Sequence, residues 1–428
     1  MSDRKSFVNT VARGLAITIL IMVSSSFAQK KLTLTTNSPA AKENFVLAIN
    51  ALESFQFPAF TAAAQKTFAA DSNFAMGHMA MAATLGPPQR QKHLDKFAAL
   101  APQASKGEQL YLQGMTHFYG NNDDKALEAF QELSKMLPED RMVYMMLGNV
   151  QRRKGDFKAA IASFEAANKI DPSLPRAWSF IGDCYLMLEQ YDKARTHYKQ
   201  VVAKVDPDAS PFGPFFGQIW ADLYEGKPDP ALKTLSEYME RYNRNGAAQG
   251  FPPVWIWNHK AHINLEFGRT EEALRCYEIG YKSVPPTTNT QVDSIQKIVW
   301  LGRMHHGRAR TLAKIGKHEE AWKIAEDVKK MIETGGKEGE QYWPAYHYLA
   351  GYIKLESGDY KAAIEHLEQS NLADPFHKVL LARAHMKGGD KKYARQLAEE
   401  IAKFNTNSIE RALAYPEAKK IIALNASN

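Results

Sequence analysis

One interval, 34 residues, constrains this chain more than any other feature of its sequence. Gly114, Gly148 and Gly182 recur at that step, as do Ala126, Ala160 and Ala194, the aromatics Phe130, Phe164 and Tyr198, and the prolines Pro138 and Pro172. Four columns sharing one step mark a repeated unit, and a period of this length belongs to two helices joined by a turn. One such pair cannot bury its own apolar face, so stacked neighbours must supply the core. The residue types fit that mechanics. Glycine and alanine let two helix backbones approach where they cross, while Leu147 or Ile181 and Phe164 or Tyr198 fill the space beside the crossing. Gly155-Asp156, Gly358-Asp359 and Gly389-Asp390 lie between helices, glycine permitting the turn and aspartate capping the next helix. Asp229-Pro230 does the same with proline at the first helical position. Asp171-Pro172, Val284-Pro285 and Asp374-Pro375 are expected to end second helices.

These residues resemble the tetratricopeptide repeat (TPR) family, most closely over Arg141 to Pro207. Trp178, Ile181, Gly182, Tyr185, Tyr191, Ala194 and Tyr198 follow the family pattern, and Leu147, Gly148, Gly155, Ala160, Phe164, Ala167 and Pro172 follow it one repeat earlier. The resemblance implies an all-α protein, an α-solenoid built as a right-handed superhelix of about ten helix-turn-helix repeats. Its first helices would form a concave groove for an extended peptide or a helix. Mapping the family's groove-facing positions onto this chain gives Tyr111, Met115 and Tyr119, then Met145, Asn149, Arg152 and Arg153, then Arg176 and Asp183. Phe216, Trp220 and Tyr224 come next, followed by Trp255, Asn258 and His262, then Arg303, His306 and Arg310, and last Tyr348 and Tyr352. Aromatics and arginines are the side chains that concentrate binding energy at interfaces. The lysine–asparagine–lysine–arginine set of TPR modules that hold chaperone C-termini is matched only at Asn149, so that mode is not expected.

Past the middle the spacing stretches. The alanines equivalent to Ala194 run Ala231, Ala273, Ala321, Ala363 and Ala394, at steps of 37, 42, 48, 42 and 31. The added residues fall in Asn243 to Pro253, Ser283 to Gln296 and Thr334 to Trp343, between one repeat and the next, where insertions project from one edge of a solenoid. The expected organisation is a signal peptide over 1–28, an extended lead-in over 29–40, an N-terminal array over 41–208, a C-terminal array with inserted loops over 209–407, and a capping segment over 408–428 whose last short helix starts at Tyr415-Pro416.

Arg4, Lys5 and Arg13 precede the short apolar run Leu15 to Val23, and Ser24 to Ala28 supply small residues before Gln29, the order of a secretory signal peptide cleaved after Ala28. The run is about half the ~20 residues needed to cross a bilayer, so a retained anchor is the lesser reading. The expectation is an exported protein, periplasmic or secreted, with no membrane span after cleavage. The chain carries 54 Lys+Arg against 47 Asp+Glu, dispersed without a basic block, which argues against a nucleic-acid partner. Only Cys184 and Cys276 occur, far apart in a repeat array, and both read as buried apolar residues and not as a bridge.

No cofactor, metal or catalytic residue is expected. Met76, His78, Met79 and Met81 could offer soft ligands to copper, but their helical spacing is that of a packing stripe. His259, His262, His305, His306 and His347 lack a further Cys or Asp that would complete a zinc set. No Gly-x-Ser-x-Gly, His-Glu-x-x-His or phosphate-cradling loop is present. The leading expectation is therefore a non-enzymatic scaffold or adaptor that binds a protein or extended peptide in its groove, in assembly or regulation of a bacterial cell envelope. A different class of reading is a small-molecule or glycan site, or a weakly catalytic one, under the inserted loops beside Trp255, Trp257, His262, Arg303, His306 and Arg310.

Overall fold

The computed structural model describes residues 30–205, 212–245, 253–284 and 294–424. The expected signal peptide and most of the insertions at 243–253 and 283–296 lie outside these residues. Every regular element described is helical. The chain runs through α1 (Pro39–Glu53), α2 (Phe57–Ala70), α3 (Ala75–Thr84), α4 (Pro87–Leu100), α5 (Lys106–Tyr119), α6 (Asp123–Met136), α7 (Arg141–Arg153) and α8 (Phe157–Ile170). It continues through α9 (Arg176–Met187), α10 (Tyr191–Lys204), α11 (Phe212–Tyr224), α12 (Pro228–Asn245), α13 (Pro253–Glu266), α14 (Thr270–Lys282) and α15 (Ser294–Lys314). The last helices are α16 (His318–Thr334), α17 (Gly336–Gly339), α18 (Trp343–Glu356), α19 (Tyr360–Leu367), α20 (Pro375–Gly388), α21 (Lys391–Lys403) and α22 (Ile409–Leu424).

Among the described residues two compact units share the chain: one takes 30–48, 61–154 and 166–172, the other 49–60, 155–165 and those from 173 to 424. Both are α-solenoid in construction, with successive helices packed in pairs. In the first unit α5 pairs with α6, and in the second α9 pairs with α10, α13 with α14, α15 with α16, α18 with α19 and α20 with α21.

The glycine column does what close crossing demands. A Cβ on Gly114 would stand 2.7 Å from the Phe130 ring, and one on Gly182 2.8 Å from the Tyr198 ring. Gly351 repeats the arrangement against Leu367, at 2.6 Å. Each glycine sits sixteen residues before its partner, and where that partner is Ala325 or Ala398 the position sixteen before it is Ala309 or Ala382, all fully buried. Phe130, Tyr198 and Leu367 thus face a bare backbone, alanine can face alanine, and Tyr277 has Ala261 sixteen residues before it.

Turns follow the sequence reading. Gly155, Gly358 and Gly389 have φ of 81°, 82° and 99°, the left-handed region that favours glycine. Asp359 accepts a hydrogen bond from the Ala362 amide and Asp390 from the Tyr393 amide, capping α19 and α21. Three expectations need correction. Asp229 does not cap a helix from outside: α12 begins at Pro228 and holds Asp229 and Pro230 within its first turn. Asp374-Pro375 does not close a second helix. The Asp374 carboxylate accepts from the Phe376 amide at 2.7 Å and opens α20, with Pro375 in the first turn where its missing N–H costs nothing. The final helix does not start at Pro416 but at Ile409, where the Ser408 hydroxyl accepts from the Arg411 amide at 3.1 Å, and Pro416 lies inside it.

That last helix is tied down by side chains. It packs on α20 and α21 and also reaches α11 and α13. Arg411 is buried, donating to the Tyr224 hydroxyl at 2.5 Å and to the Phe404 carbonyl at 2.8 Å. Arg383 holds Glu417 through two bonds, and Glu189 receives Lys419 at 2.6 Å.

Candidate binding cavity

Helix α15 touches both α13 and α18, and α18 touches α20, so the second unit brings its later first helices side by side. Together with α16 and α22 they line a cavity of about 700 Å³, a size within the ~300–1,000 Å³ of ligand pockets. Asn258 and His262 come from α13, Arg303, His306 and Arg310 from α15, and Tyr348 from α18. These six residues, assigned to binding from sequence, meet in one place. Val299, Val328, Met331, Ile332 and Phe376 supply apolar lining. The insertion expected over Thr334 to Trp343 forms α17 and a 3-10 turn, Glu340–Tyr342, and adds Glu338, Gln341 and Tyr342 to the wall. Gly339 makes this return possible, since a Cβ there would collide with the Ile332 carbonyl.

The charged centre of the wall is Arg310, 5% exposed. Its guanidinium donates to the Tyr348 hydroxyl at 2.6 Å and the Tyr277 hydroxyl at 3.0 Å, and lies 3.9 Å from Glu266. Burial works against its charge, but Tyr277, Tyr348 and Glu266 outweigh it and hold the guanidinium above its usual range. Burial in turn pushes the Glu266 carboxyl up, opposed by Arg310. His262 is 7% exposed, and its Nε2, 4.0 Å from Glu266, has no hydrogen-bond partner among the described residues.

Burial, reinforced by the Arg310 charge, holds His262 and His306 well below the ordinary imidazole range, so both are neutral near pH 7. His306 must then donate from Nε2 to the Ala345 carbonyl at 3.1 Å, leaving Nδ1 as an acceptor. His377 stacks on Tyr348 at 3.9 Å between centroids and is pushed down to about 3, by burial first and Arg310 second. Asp374 is pushed up to about 6 by burial and by repulsion from Glu410, both of which line the cavity. Such a wall can hold an amphiphilic guest by apolar burial and directed hydrogen bonds.

The other sequence-assigned residues lie elsewhere. In the first unit, Tyr111, Met115 and Met145 are buried in packing, with Tyr111 edge-on to Phe130. The Arg153 guanidinium lies 3.8 Å over Phe118, donates to the Phe118 carbonyl and pairs with Asp123. Arg152 reaches Asn149 at 3.4 Å, and Tyr119 sits under Arg90. In the second unit Phe216 and Trp220 are buried, and Trp255 packs on Phe216 at 5.0 Å and not on the cavity. Asp183 accepts from the Tyr198 hydroxyl at 2.6 Å, Arg176 lies over Phe180, Tyr352 is fully buried, and Tyr224 is covered by Arg411 of α22. Trp257 packs with Lys260, away from His262.

The soft-ligand cluster is also packing. Met76 and Met79 are buried, and both ring nitrogens of His78 are engaged, by the Ser72 carbonyl and His93. Cys184 and Cys276 are buried and are not bridged by a disulfide. Among the described residues no helix is long and apolar enough to cross a membrane.

Sequence reasoning missed Asp374, His377 and Glu410. The first was read as a helix end, and Glu410 reaches the cavity only because α22 folds back onto α11, α13 and α20.

Models of the tetratricopeptide repeat match residues 111–175, 151–211 and 344–377. Those segments are similar to tetratricopeptide repeats. The last of these TPR matches supplies Ala345, Tyr348, Asp374, Phe376 and His377 to the cavity. A curated relative, the general transcriptional corepressor ssn6 of Schizosaccharomyces pombe, is 25% identical over 146 residues, 34% of this chain and 12% of its own length. The chain thus spans about an eighth of that relative. Among solved structures, a tetratricopeptide repeat protein from Parabacteroides merdae is similar at 16% identity and a TM-score of 0.44, over 65% of this chain and 98% of its own. Yeast Tom70 gives 12% and 0.42 over 90% and 89%. YrrB, described as a TPR protein with an unusual peptide-binding site, gives 17% and 0.31 over 48% and 93%.

Proposed function

We propose that this chain is an exported, non-catalytic TPR adaptor that binds a protein partner of the cell envelope and seats one anchoring segment of that partner in the cavity of its second unit. The observation that carries the reading is the meeting of six first-helix residues, Asn258, His262, Arg303, His306, Arg310 and Tyr348, around about 700 Å³ of space. First helices are where such arrays offer a surface to guests. The export part rests on the order of charges, apolar run and small residues in the first 28 residues.

Gly302 lines the cavity with nothing within 4 Å of where its Cβ would stand, so Gly302→Trp starts its side chain in open space and is the substitution chosen to fill the cavity. A photo-crosslinking residue placed at Val299 in the full chain should capture one discrete partner, and Gly302→Trp should abolish that capture while the thermal midpoint stays within a few degrees. Undiminished capture with the cavity filled defeats the reading. The cavity's size also favours a second reading, a small organic guest, which is the better one if metabolites raise the thermal midpoint of the wild type and not of Gly302→Trp.

A further inference from the structure

The charges around the cavity do not balance. Two guanidinium groups line it, Arg303 and Arg310, against three carboxylates, Glu338, Asp374 and Glu410. Arg310 is already committed to Glu266, Tyr277 and Tyr348. The histidines supply no further positive charge near pH 7, since burial keeps His262, His306 and His377 neutral. One guanidinium, that of Arg303 stacked 4.8 Å over Trp300, is left to face three carboxylates.

The imbalance is greatest where α20 begins. Asp374 has no cation in contact among the described residues: its nearest basic group is His377 Nε2 at 4.0 Å, which is uncharged. Glu410 is the charged neighbour that acts on it most strongly, and by repulsion. Asp374 already accepts from the Phe376 amide, but its repulsion with Glu410 in a partly desolvated space is costly unless a cation joins them. A second observation points to a missing guest. His262 lines the same cavity, 7% exposed, and its Nε2 has no hydrogen-bond partner among the described residues. Apolar lining from Val328, Met331 and Ile332 completes the requirement, a positive group on an aliphatic stem.

Resting on the proposed binding of a protein partner, we infer that the anchor is a lysine side chain, its ammonium received by Asp374 and Glu410 and its methylenes laid along Val328, Met331 and Ile332. An ammonium is a compact charge on a flexible four-carbon stem and suits two carboxylates on one wall.

The test uses the full chain and three probes, N-acetyl-lysine methylamide, its norleucine analogue and its glutamate analogue, with binding read by ligand-detected NMR. Lysine should bind at least tenfold more tightly than norleucine, and glutamate should not bind. In Asp374→Asn/Glu410→Gln, where asparagine still caps α20, the lysine preference should vanish while norleucine binding stays. Gly302→Trp should remove all of it. Norleucine or glutamate binding as well as lysine, or no probe binding, overturns the inference. If Gly302→Trp abolishes partner capture but lysine is not preferred, only the anchor's chemistry is wrong. If capture survives Gly302→Trp, the cavity reading itself is wrong.

Discussion

The helix pair α9–α10 and the helix α15 use the same glycine-bearing design to opposite ends. In α9, Gly182 is pressed against the Tyr198 ring, and Gly217 of α11 meets the same ring from the next repeat. In α15, Gly307 is pressed against Tyr277, yet Gly302, five residues earlier, faces open space. The regular repeat spends its surface on packing. The stretched repeats, with alanine steps of 48 and 42, keep one stretch of first helix unpacked and line it with polar side chains. Departure from the period is what makes room for a site.

The comparison breaks most visibly at Arg310. Arg310→Met should destabilise the second unit by about 3–5 kcal/mol, because it leaves Glu266 buried without its cation. Chemical denaturation followed by tryptophan fluorescence reads this, and a loss below about 1 kcal/mol would mean the polar wall is not under electrostatic tension.

Gly182→Ala should cost about 1–3 kcal/mol through overpacking against Tyr198. The same change at Gly302 should be neutral or stabilise by up to about 1 kcal/mol, since alanine favours helix and meets nothing. Equal losses at the two glycines would contradict the contrast between filled and open crossings.

Asp374 sharpens the contrast through pH. Its folded pKa, pushed up to about 6, exceeds the ordinary value of 3.8, so the folded state holds this proton more tightly than the unfolded chain does. Its contribution is therefore fullest below pH 4 and is lost as pH rises towards 6. Asp374→Asn should match the wild type at pH 4 and exceed it by about 1–2 kcal/mol at pH 7.5, as read from denaturation midpoints at the two pH values. No pH-dependent difference would show that neither burial nor Glu410 raises the Asp374 carboxyl.

The smallest effect is expected on the outside of α22. Glu189→Gln removes a pairing with Lys419 and should cost about 0.5 kcal/mol or less, as exposed ion pairs do. A cost above about 2 kcal/mol would make that contact a principal anchor of the helix, a role assigned here to buried Arg411.

Much of the architecture was legible before any coordinate. Gly114, Gly182, Phe130 and Tyr198 announce the helix pairs because close approach at a fixed crossing tolerates so few residue types. The caps at Asp359 and Asp390 are equally local, a side chain reaching an amide three residues on. The site was legible in part. His262, Arg303, His306 and Arg310 stood out as polar groups on first helices, and they line one cavity, from which Trp255 and Trp257 are absent. Phe216, Trp220 and Trp255 carried the same kind of signal and pack against one another, because an aromatic's type does not reveal which side of its helix finds neighbours first.

What the sequence by itself determined is the repeating pair of helices, since a 34-residue period of small and aromatic residues leaves a chain no other way to bury its apolar faces. What only the tertiary structure decided is the cavity and its charge. Glu410 joins Asp374 at the cavity because α22 turns back onto helices far earlier in the chain, and Gly302 opens into the same space that the return of the chain at Gly339 helps enclose. Periodicity records contacts between neighbours in sequence, and a space enclosed by residues more than a hundred positions apart leaves no periodic trace.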